Sequence, residues 1–122
     1  MRGFNKVILI GRLGKDPELR ESKLGGVRWG SFSLATNRGV RRGEQWEEET
    51  DWHRVTCFGA LAEQCGEYIS KGSLVAVEGS VQHSHWTNEA GERRYSTTII
   101  AEEVTFLDAA NTKNIAPDLL EA

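Results

Sequence analysis

Thr50-Asp51-Trp52-His53-Arg54-Val55-Thr56-Cys57-Phe58-Gly59 reads as one β-strand, rich in β-branched and aromatic residues and closed by a glycine. Strand alternation puts Trp52, Arg54, Thr56 and Phe58 on one face and His53, Val55 and Cys57 on the other. The second face suits a core. The first carries two flat rings flanking a guanidinium, at two-residue steps on a rigid support. That arrangement fits a polymer offering stacked bases on one side and phosphates on the other. Ordinary burial of Trp52 and Phe58 is the competing expectation.

Working outward, Asn5 to Leu13 reads as a first strand. Val7-Ile8-Leu9-Ile10 is apolar on both faces, so one side meets the core and the other is expected to meet a partner subunit. A polar turn follows, with Asp16-Pro17-Glu18 and then Gly25-Gly26. Val27 to Thr36 resumes as a second strand, Trp29, Ser31, Ser33 and Ala35 alternating with Gly30, Phe32 and Leu34. From Asn37 to Thr50 two glycines, three arginines and Glu47-Glu48-Glu49 surround Trp46, which predicts a long mobile hairpin loop whose Trp46 either serves as a stacking platform or tucks back onto the body. Ala60 to Lys71 spaces Leu61, Ala62, Cys65, Tyr68 and Ile69 as an amphipathic helix, with Gly72 placed for a left-handed C-terminal cap. Ser73 to Trp86 and Tyr95 to Leu107 form two more strands, a long hairpin with Trp86 near its tip.

The order strand, strand, strand, helix, strand, strand is that of an OB-fold: an all-β, five-stranded Greek-key barrel with one short helix between strands three and four. In such barrels the face of strands two and three, with the loops between strands one and two and between four and five, binds oligonucleotides or oligosaccharides. A chain of 122 residues holds one such domain, expected over residues 1–108, with 109–122 as a short flexible tail.

Charge is unevenly distributed. The formal net charge is −3, but residues 1–42 hold ten basic and three acidic side chains, a balance of +7 that leaves −10 for the other 80. Such asymmetry is what a phosphate-binding surface needs, provided the fold keeps the two halves apart. There is no secretory signal, no apolar run near the roughly 18 residues of a membrane span, and no CxxC pair. A soluble, intracellular protein with free thiols at Cys57 and Cys65 is expected, without cofactor.

Enzymatic chemistry finds little support. His83 and His85 share a strand face, but their spacing matches no zinc pattern, so no metal is expected. Cys57 and His53 are four strand residues apart, about 13 Å, far beyond proton-transfer reach. No glycine-rich phosphate loop opens a helix.

The segments Asn5-Lys6-Val7-Ile8-Leu9-Ile10-Gly11-Arg12-Leu13-Gly14-Lys15-Asp16-Pro17-Glu18, Phe32-Ser33-Leu34-Ala35-Thr36-Asn37, Asp51-Trp52-His53-Arg54-Val55, Tyr68-Ile69-Ser70-Lys71-Gly72-Ser73 and Val77-Glu78-Gly79 closely resemble bacterial-type single-stranded DNA-binding proteins, in unbroken order over roughly residues 3–107. The resemblance implies a homotetramer that wraps and protects single-stranded DNA in replication, recombination and repair, with no catalysis. By position it implies base stacking on Trp52, Phe58 and Trp86, phosphate contact by Lys6, Arg54 and Lys71, and a subunit contact at His53, to which Val7 and Leu9 of the first strand are added. Arg12, Arg38, Arg41 and Arg42 complete the expected basic track, and Trp46 the aromatic set. Three departures stand out. Val40 occupies a position that is often aromatic, and Gln82, Ser84 and His85 occupy positions that are commonly basic. The family usually continues into a long Gly, Pro and Gln-rich tail with an acidic tip that recruits partner proteins; the sequence to Ala122 holds no such tail, either absent by nature or removed, and docking of replication and repair proteins is left open. The alternatives are an OB-fold primosomal accessory factor and a scaffold module whose aromatics bind protein.

Overall fold

The computed structural model describes residues 2–22 and 25–107; the expected tail over 109–122 lies outside them. Six strands and one helix run in the order β1 (Val7–Leu13), β2 (Glu18–Glu21), β3 (Arg28–Arg42), β4 (Gln45–Phe58), α1 (Ala60–Tyr68), β5 (Leu74–Thr87) and β6 (Arg93–Phe106). The sheet order is β1-β5-β6-β4-β3-β2, and β1 also pairs with β3 through Arg12↔Ala35 and Leu13↔Leu34. That pairing and the short parallel β4–β6 contact at Val55↔Ile99 and Thr56↔Ile100 close the five long strands into an OB-fold barrel. The helix lies between β4 and β5, the third and fourth of the long strands, as expected.

Alternation builds the core. Leu13, Phe32, Leu34, Val55, Cys57, Val75, Val77, Ile99 and Ala101 point inward from the strands, and Ala62, Cys65 and Ile69 plug one end of the barrel. Each aliphatic side chain buried this way contributes about 1.5–3 kcal/mol. The Cys57 thiol donates to the Gly30 carbonyl at 3.7 Å, and hydrogen bonding to Cys57, reinforced by burial, pushes the Cys65 thiol up. Both cysteines are free and act as packing groups.

Four expectations change. The segment 37–50 is no loose loop: β3 and β4 continue as a two-stranded ribbon with unbroken register from Asn37↔Thr50 to Arg42↔Gln45. Gly43, at φ +65°, occupies the first position of the two-residue turn, the place where hairpin geometry asks for positive φ. The ribbon has no buried face, so its sequence lacks the apolar alternation by which a strand is recognised. The polar stretch after β1 contains β2, paired with β3 from Glu18↔Ser31 to Glu21↔Arg28. The helix ends at Tyr68 rather than Lys71, because Ile69 turns extended to enter the core. Gly72, at φ +89°, serves instead the turn in which Ser73 N–H donates to Ser70 C=O.

Val7 and Leu9, expected at a subunit contact, are partly buried against the core. Inward parity on β1 is set by the buried Gly11 and Leu13, so the residues facing out are Ile8 and Ile10, 64% and 59% exposed. Among the described residues no helix is long and apolar enough to cross a membrane.

Candidate nucleic-acid interface

Because Val55 and Cys57 are completely buried, their neighbours must face outward: Trp52 is 61% and Phe58 50% exposed. The expectation of ordinary core burial fails for both rings. Parity carries the same face along the ribbon to Trp46, 71% exposed, whose ring lies over Gly39. On β3 the register places Ala35 beside Trp52, Ser33 beside Arg54, Ser31 beside Thr56 and Trp29 beside Phe58. One outer face of β3 and β4 therefore carries Trp46, Trp52, Arg54, Phe58, Arg41 and Trp29. Small polar residues between the rings keep the floor shallow. Leaving large rings in water forgoes about 1.5–3 kcal/mol of burial each, which marks the patch as a contact surface.

Loops after β1 supply the rim. A cleft beside the aromatic row is lined by Lys15, Asp16, Ser31, Ser33 and Arg54, and a second joins Ile10, Arg12, Ala35, Thr50 and Trp52. Asp16 accepts the backbone N–H of Lys71 at 2.7 Å, which tethers that exposed lysine to the same rim. Arg12 donates through Nη1 to the Gly72 carbonyl at 2.9 Å. A Cβ on Gly14 would run into the Trp52 ring, so the loop backbone passes directly against the platform. Gly14→Ala is expected to displace the ring, since the side chain yields more readily than backbone. Titration of oligo(dT) should then show weaker binding and a changed tryptophan emission in an otherwise stable barrel.

Other expected residues lie elsewhere. Arg38 and Arg42 point to the opposite face of the ribbon, where Arg38 pairs with Glu49 at 3.0 Å and Asp51 at 2.8 Å, and Arg42 with Glu47 at 3.1 Å and also with Glu49. The hairpin folds the basic strand onto the acidic one, so part of the +7 against −10 imbalance cancels within the ribbon. These are exposed pairs, worth up to about 1 kcal/mol each. Lys6 pairs with Glu78, whose hydrogen bond and charge hold the ammonium above the usual lysine range. His53 is half-buried on the face opposite Trp52 and shares a 2.8 Å hydrogen bond with Thr36 Oγ1.

Trp86, half exposed, sits on the separate β5–β6 ribbon opposite Arg94. His83 Nδ1 lies 2.9 Å from Thr97 Oγ1, and among the described residues no three His, Cys, Asp or Glu gather as a metal site. Sequence reasoning missed Lys15 and Trp29 as site residues. Lys15 sits in a loop whose path only the fold defines. Trp29 was on the correct side of the alternation, but its partner across the sheet was invisible.

Comparison with known proteins places the chain in a family. The single-stranded DNA-binding protein of Xylella fastidiosa is 44% identical over 108 residues, covering 87% of this chain. The chain spans about 65% of that relative's length. The Plasmodium falciparum SSB, solved in complex with ssDNA, superposes with a TM-score of 0.80 at 31% identity, over 88% of this chain and 98% of that one. Residues 4–107, which hold every strand, the aromatic row and both clefts, match the single-strand binding protein family, and the chain belongs to that family.

Proposed function

We propose that this chain binds single-stranded DNA without sequence preference, wrapping and protecting it during replication, recombination and repair in the nucleoid. The observation that carries this reading is the exposed outer row of Trp52, Arg54 and Phe58 on β4, with Trp46 further along the same face beyond Thr50 and Glu48. Bases stack on the rings, each contributing about 1–3 kcal/mol. Phosphates meet Arg12, Lys15, Arg41, Arg54 and Lys71, and Trp86 adds a platform on the second ribbon. Arg38 and Arg42 brace the β3–β4 ribbon. Family membership and the DNA-bound Plasmodium relative support the assignment.

The protein assembles as a homotetramer. Support comes from β1, where Ile8 and Ile10 are exposed and residues 7–11 pair with β5 alone, leaving one edge open to another chain.

Tryptophan fluorescence titrated with oligo(dT) and with duplex of equal length tests the binding. Quenching by the single strand only, weakened by salt, is expected, because a duplex cannot splay its bases onto the rings. Arg54→Gln should lower the slope of log affinity against log salt by about 0.7, the share of one phosphate contact on a single strand. Absence of any response to DNA would favour the scaffold alternative.

A further inference from the structure

The outer face does not stop at Phe58. Trp29 stands directly opposite it on β3, and on the other side of Trp29 the register places Arg20 of β2. Cross-strand partners share a face and hold their Cβ atoms about 5 Å apart. Leu19 sets the parity of β2: although 51% exposed, its side chain lies toward the helix over Gly30 and Gly66, where neither has a Cβ, which turns Arg20 to the other face. Phe58, Trp29 and Arg20 thus form a row running across three strands, at right angles to the row along β4.

The row has the composition of a nucleotide site. Among the described residues the close ring pairs are Tyr68 with Phe106 and His85 with Tyr95, so neither Trp29 nor Phe58 is stacked on another ring. Trp29 is half-buried, which fixes the indole while leaving part of it in water. The Arg20 side chain is 66% exposed, and its pairing with Glu18 is long, 3.5 Å, and exposed on both sides. A phosphate can displace such a pair at little cost. Arg28, by contrast, is committed to Glu63 and Glu21 on the inward side. The floor from Trp52 to this row is lined by Ser33, Ser31 and Thr56 with Arg54 beside them, so nothing bulky interrupts the path.

We propose that Trp29 and Arg20 form an additional subsite for single-stranded nucleic acid, the indole stacking one further base and the guanidinium holding its phosphate. The track would then turn at Phe58 and leave the barrel across β2. This rests on the single-strand-binding reading above.

The test uses the full chain and fluorescein-labelled dT oligomers of increasing length, followed by anisotropy, with Trp52→Ala as the reference variant. Trp29→Ala is expected to lose about five- to tenfold in affinity for long oligomers, the lower end of a stacked base's contribution. It should lose nothing on oligomers too short to pass Phe58, and Trp29→Phe should recover most of the loss. Arg20→Gln should reduce the salt slope by about 0.7. Wild-type affinity of Trp29→Ala at every length, with Trp52→Ala weakened, would overturn the subsite and leave the parent reading standing; no effect of either would overturn both. Should Trp29→Ala fail to fold, photocrosslinking of the wild-type chain to 5-iodouracil oligomers decides. An adduct on Trp29 supports the subsite, and adducts on Trp52 with none on residues 28–30 overturn it.

Discussion

Trp52→Ala is expected to weaken oligo(dT) binding by about 1–3 kcal/mol, a 5- to 150-fold loss, and to remove much of the fluorescence quenching. The ring is 61% exposed and points away from the fully buried Val55, three residues further along β4, so its removal opens no cavity in the core. Thermal stability should therefore stay close to wild type, which separates a binding defect from a folding one. The central place of Trp52 explains the size of the effect: it borders the cleft containing Arg12 and touches the backbone at Gly14. A stacked base there is held between a fixed ring and nearby cations. Unchanged affinity and quenching would remove Trp52 from the binding surface.

Replacing Ile8 and Ile10 together with lysine is expected to break the proposed tetramer into smaller species at micromolar concentration, measured by sedimentation. Each isoleucine covered by a partner contributes about 1.5–3 kcal/mol, and a symmetric contact counts each residue twice. Lysines there would add charges to be desolvated on the same surface. Both side chains face away from the core, so the barrel itself should keep its circular dichroism and melting transition. A tetramer that survives dilution in this variant would show that β1 is not the subunit contact. The same substitutions at Val7 and Leu9 would instead damage the fold, since those side chains pack inward.

Strand alternation made most of the barrel legible. Trp52, Arg54 and Phe58 could be assigned to one face, and Val55 and Cys57 to the other, because period-two patterning is local and needs no partner strand. The β3–β4 ribbon was illegible for the same reason. With both faces in solvent, Arg38, Arg42, Glu47 and Glu49 show no apolar period, and what orders them is pairing across the hairpin. The inward face of β1 was also ambiguous, since Val7 to Ile10 are all apolar and any parity fits.

The sequence by itself determined the order of the five barrel strands and the helix, the outward face of β4 with Trp52 and Phe58 and, through an unbroken resemblance from strand one to strand five, the family. Each of these is carried by residues adjacent in the chain or at fixed spacing. Tertiary structure alone decided which charges remain available and which surfaces join. Antiparallel pairing folds Arg38 and Arg42 onto carboxylates, brings Lys15 and the Lys71 backbone to the rim of the aromatic row, and sets Trp29 between Phe58 and Arg20. The physical reason is register: which residues of distant strands meet is fixed by closing the barrel around a common core, and no local pattern encodes that closure.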